Sequence, residues 1–120
     1  MTPQEPVVRL RHGTTRQRAE AILRDGPDLN FREPGGLDTA DGFSTAPIQG
    51  PHPYGSPEVV AARKAAIFPN EGGPAILEIE VPESIVRKAD IKGEVRFEPG
   101  FGFEELLAAW PTIPKRILTP

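Results

Sequence analysis

The chain contains no cysteine. That excludes disulfides, thiolate metal sites and cysteine nucleophiles. Its two histidines, His12 and His52, stand 40 positions apart and lack metal-ligand spacing, so no metal is expected. No apolar run approaches membrane-spanning length. The polar, proline-containing segment from Met1 to Pro6 does not resemble a signal peptide. These absences lead us to expect a cytoplasmic protein with no membrane partner. Neither sign of charge dominates: 14 Lys and Arg face 17 Asp and Glu, for a net charge of −3. No basic stripe is present, so there is no strong nucleic-acid signal. The nucleophile-elbow pattern and the dinucleotide and phosphate-loop glycine fingerprints are also missing.

What is abundant is punctuation. Fifteen prolines and 12 glycines in 120 residues imply short elements joined by stiff loops. With 38% hydrophobic and 26% charged residues, the composition is that of a globular chain. Its length suits a single domain over residues 1–120. The N-terminal third holds Arg9, Arg11, Arg16, Arg18 and Arg24, which read either as a solvated face or as a patch for an anionic ligand.

Val7 to His12 alternates, placing Val8, Leu10 and His12 on one face of a strand. Thr14 is positioned to cap the following helix, with Gln17 as its capping-box partner. Ala19, Ile22 and Leu23 give that helix an apolar stripe, and Gly26-Pro27 ends it. Residues 27–41 carry no period and read as a loop, with Pro34-Gly35-Gly36 as a turn. Gly42 to Thr45 forms a short strand, and residues 47–55 a stiff loop. Ser56-Pro57-Glu58 starts a helix by supplying a cap, a first-turn proline and an acid near the dipole. That helix runs to about Ile67, with Val59, Ala62, Ala66 and Ile67 expected inward. Ala75 to Val81 is the clearest strand, its Glu78 and Glu80 suggesting a wet side. A helical turn over 83–89, a strand over Glu94–Phe97, a helix over Phe103–Trp110 and an edge strand over Lys115–Leu118 follow. The fold class is α+β, because the late strands lack crossover helices of adequate length.

Two residues stand out for chemistry. His12 reads either as a half-buried histidine bonded to backbone or as a ligand-orienting group at a cleft mouth. Glu94 reads either as a solvated strand start or as a carboxylate that binds a sugar hydroxyl and stabilises a developing cation. Arg96 lies on the same face as Glu94. Ser44-Thr45 has no visible acid–base partner for hydrolysis. Glu104 and Glu105 are read as serving the dipole of the last helix, and His52 as a surface residue. Phe101, Phe103 and Trp110 are assigned to a core.

Taken in order, these pieces resemble the ADP-ribosyltransferase superfamily, as a small bacterial-type member of the toxin or modifier kind. His12-Gly13-Thr14 is similar to its first motif, Asp41-Gly42-Phe43-Ser44-Thr45 to its second and Gly93-Glu94-Val95-Arg96-Phe97 to its third. Here histidine, serine and glutamate form a mixed set, and Arg11 directly precedes His12. The resemblance implies a split, mostly antiparallel sheet with short helices, gripping NAD as substrate. It implies that His12 and Thr14 bond the adenosine ribose and that Ser44 lines the nicotinamide pocket. Glu94 would hold the nicotinamide ribose hydroxyl, making Glu94 and His12 the catalytic pair. Gly13, Arg11 and Tyr54 complete the nucleotide-binding set. The reaction implied is cleavage of the nicotinamide–ribose bond with transfer of ADP-ribose to an unidentified macromolecular acceptor. Two alternatives stay open: a non-enzymatic nucleotide- or protein-binding module on the same fold, and an RNA 2′-phosphotransferase-like enzyme.

Overall fold

The computed structural model describes residues 5–28, 43–47, 55–91 and 94–120, with Asp90 and Ile91 placed by backbone alone. Alternating segments become strands and capped segments become helices: β1 (Val7–Thr15), α1 (Arg16–Asp25), β2 (Phe43–Pro47), α2 (Pro57–Ile67), β3 (Pro74–Pro82), α3 (Glu83–Val86), β4 (Asp90–Ile91), β5 (Val95–Phe97), α4 (Phe103–Ala109) and β6 (Lys115–Leu118). The strands form one six-stranded sheet in the order β4-β5-β2-β1-β3-β6. Every strand pair is antiparallel, and the fold is α+β. Among the described residues, no helix is long and apolar enough to cross a membrane.

β1 pairs with β3 along its whole length, from Val7 opposite Pro82 to Thr15 opposite Pro74. Among the described residues it meets β2 at two pairs, Leu10 with Pro47 and Arg11 with Ala46. The described part of the sheet is therefore narrowest, as a waist, where β1 meets β2. One face carries Leu10, Leu77, Ile79, Val81, Phe43, Val95 and Phe97, packed with Phe103, Leu106 and Trp110 of α4 and with Ile22 and Leu23 of α1. Phe97 and Leu106 are fully buried, and removing either side chain would cost about 3 kcal/mol or more. The Trp110 indole N–H donates to the Leu23 carbonyl at 3.2 Å, tying α4 to α1. As expected, Phe103 and Trp110 belong to this core, but Phe101 is 54% exposed.

The opposite face is covered by α2, which packs onto β1 at Gly13. A Cβ there would lie 2.2 Å from the Pro57 carbonyl oxygen and 2.9 Å from the Ala61 nitrogen. Only glycine permits this approach of helix to strand.

Several expectations need correction. β1 continues past His12, because Gly13, Thr14 and Thr15 still face Ile76, Ala75 and Pro74. The cap of α1 is therefore Thr15, whose hydroxyl accepts from the Arg18 amide, and not Thr14. The inward face of α2 is Pro57, Ala61 and Lys64, whereas Val59 and Ile67 are 50% and 44% exposed. The supposed wet side of β3 is not wet at Glu78, which is 3% exposed because α2 and three arginines enclose it. The short strand β4, paired with β5, had no counterpart in the sequence reading.

Candidate functional site at the waist of the sheet

β1 carries His12 one residue beyond the last pair it shares with β2. With no further ladder to hold the strands together, the imidazole spans the gap. Its Nδ1 lies 2.7 Å from the Ser44 carbonyl oxygen. A carbonyl can only accept, so Nδ1 carries the hydrogen and donates. In the neutral ring Nε2 is then the acceptor nitrogen. The ring also rests against Phe43, with centroids 4.7 Å apart and planes tilted by 40°. Phe43 in turn meets Trp110 edge-on at 6.4 Å. The histidine is thus fixed from two sides, by a hydrogen bond and by an aromatic wall.

β5 approaches β2 from its other edge. Ser44 faces Arg96, Thr45 faces Val95 and Phe43 faces Phe97. The Thr45 hydroxyl donates to the Val95 carbonyl at 2.8 Å inside the core, which pins this register. Val95 and Phe97 are buried with Phe43, so alternation sends Ser44, Glu94, Arg96 and Glu98 to the other face. There the Arg96 Nη2 is ion-paired with Glu94 Oε1, and its Nη1 lies 3.5 Å from Glu98 Oε1. All three side chains are half-buried. His12 and Glu94 therefore adjoin β2 from its two edges and on opposite faces of the sheet: the imidazole on the core face with Phe43, the carboxylate on the other face with Ser44 and Arg96.

The other expected ligand residues have different surroundings. Thr14 is fully buried. Arg11 binds Glu78 through Nε and Nη2, both at 3.0 Å from Oε2, and lies 3.5 Å from Glu58. The Gly13 carbonyl accepts from Lys64 Nζ at 2.9 Å. Tyr54 and His52 lie outside the described residues.

Two polar clusters were not found by sequence reasoning. Glu78 receives Arg11 on Oε2, with Arg116 on Oε1 at 3.2 Å and Arg9 at 3.5 Å. Cross-strand register assembles it, since Arg11, Glu78 and Arg116 are direct partners across β1, β3 and β6. The alternation of charges on β3 was its one sequence signal. The second cluster joins Glu71 to the Thr15 hydroxyl at 2.8 Å and to Arg18 Nε at 2.7 Å, while the Arg18 guanidinium lies 4.0 Å over Phe68. The amides of Arg16 and Gln17 donate to the carbonyls of Gly73 and Glu71, both at 3.0 Å. The first turn of α1 is therefore engaged by the chain itself.

Compared with known proteins, the chain matches no family model, no curated protein and no solved structure.

Proposed function

We propose that this protein is an ADP-ribosyltransferase-like domain that binds NAD, cleaves its nicotinamide–ribose bond and passes ADP-ribose to a macromolecular acceptor. One observation carries the reading: Ser44 holds His12 through its carbonyl and faces Arg96, the partner of Glu94, so the three motifs meet on adjoining strands, with His12 and Glu94 on opposite faces. The resemblance implied a split antiparallel sheet with the histidine, serine and glutamate motifs around its division, and this arrangement supports it. A cytoplasmic location goes with this reading.

In this scheme the Ser44 carbonyl fixes the orientation of the His12 ring beside the ribose. Glu94 supplies a fixed negative charge beside the ribose carbon that loses nicotinamide. The transition state is cation-like at that carbon, and a preorganised carboxylate lowers its energy by about 3–4 kcal/mol, or hundreds-fold in rate. The acceptor's nucleophile then bonds to the ribose carbon as nicotinamide departs with the electron pair of the broken bond.

A second reading, a binding module without turnover, is favoured by the engagement of Arg11, Gly13 and Thr14 in the fold. The RNA 2′-phosphotransferase reading draws less support, because Arg11 and Arg18 are paired with Glu78 and Glu71. Labelled NAD with a cell lysate separates these possibilities. We expect nicotinamide release and label transfer from the wild type, and loss of both in Glu94→Gln. Calorimetric binding of NAD without turnover would select the module. Neither binding nor turnover would end the nucleotide reading.

A further inference from the structure

We propose that Arg96 is a positioning residue that aims the carboxylate of Glu94, an inference that rests on the NAD reading above. Residues 94, 96 and 98 alternate with the buried Val95 and Phe97, so their side chains leave one face of the strand about 7 Å apart. That spacing lets one guanidinium reach both neighbours. Nη2 takes Glu94 and Nη1 faces Glu98, so the planar fork is anchored at two points instead of swinging about one.

Glu94 needs such an anchor. It precedes the three residues of β5 and has no place in the register with β2, which begins at Val95 opposite Thr45. A side chain there is aimed by its contacts more than by a ladder. The guanidinium holds Oε1, and Oε2 is the oxygen we assign to a ribose hydroxyl. The facing residue on β2 is Ser44, whose carbonyl also orients His12. The cross-strand pair of Ser44 with Arg96 thus touches both groups, the Ser44 carbonyl holding His12 on the core face and Arg96 holding Glu94 on the other.

The test is steady-state NAD cleavage by wild type, Glu94→Gln, Arg96→Met, Arg96→Lys and Glu98→Gln, each checked for folding by circular dichroism. Misaiming a group that acts in the transition state lowers kcat and leaves KM nearly unchanged. We expect Arg96→Met to lose about tenfold to a hundredfold in kcat, because a displacement of an ångström has that effect. Arg96→Lys keeps the charge, loses the fork and recovers part of the rate. Glu98→Gln moves kcat in the same direction by less. Should Arg96→Met prove misfolded, Arg96→Lys and Glu98→Gln decide: both at wild-type kcat overturns the proposal. A rise in KM alone, or full activity of Arg96→Met beside an inactive Glu94→Gln, overturns it while the NAD reading stands. A wild type that releases no nicotinamide removes that reading, and this inference with it.

Discussion

His12 Nδ1 and the Ser44 carbonyl oxygen, 2.7 Å apart, join β1 to β2 one residue past the point where their ladder stops. The bond does in side-chain form what a further strand pair would have done in backbone form, and it selects one imidazole tautomer. Nitrogen NMR on labelled protein at neutral pH should find His12 protonated at Nδ1. Protonation at Nε2 in the neutral ring would contradict the arrangement.

Gly13 tests the close contact of α2 with β1. In Gly13→Ala the new methyl group would lie 2.2 Å from the Pro57 carbonyl oxygen, so helix or strand must shift. Overpacking of backbone against backbone costs about 3 kcal/mol. Urea unfolding should show a lower midpoint, and an unchanged one would mean that α2 sits further from the sheet.

Glu78 tests the arginine cluster. Glu78→Gln leaves Arg9, Arg11 and Arg116 crowded around a neutral group in a buried position. Removing one partner of a buried pair costs about 3–5 kcal/mol, and solvent around Arg9 and Arg116 reduces this to about 2 kcal/mol. Thermal unfolding of the variant at low and high salt checks both points. Salt should narrow the deficit only slightly, because Glu78 itself is enclosed.

Acid should loosen the N-terminal tether. Hydrogen bonding with the Ser84 side chain, and then with its backbone amide, lowers the pKa of Glu5 below 4.5. A depressed carboxylate stabilises the fold above its unfolded pKa and loses that contribution as pH falls through its folded value. Carboxyl NMR should therefore show Glu5 titrating below the ordinary glutamate range, with an upward shift in Ser84→Ala. The same midpoint in both proteins would mean that the Ser84 side chain does not bond Glu5.

Much of this was legible along the chain. Leu77, Ile79 and Val81 announced β3 by alternation, and Ser56-Pro57-Glu58 announced the start of α2, because both signals are local. The inward face of α2 was not legible. Val59, Ala62, Ala66 and Ile67 make as good an apolar stripe as Pro57, Ala61 and Lys64, and what decides between them is a distant glycine. The cap of α1 was misplaced by one residue for the same kind of reason. Thr14 and Thr15 are chemically alike, and only the far strand, still pairing with Thr14 and Thr15, shows where β1 ends.

The amino-acid order alone therefore determined which segments are strands and which are helices, the short β4 excepted, since backbone propensity, capping and alternation act over a few residues. It also marked His12 and Glu94 as residues worth watching. The tertiary structure decided which strands are neighbours, that β1 and β2 part after Arg11, and that Arg11 and Thr14 serve the fold. Such outcomes depend on contacts between residues tens of positions apart, and no local pattern encodes the register that brings them together.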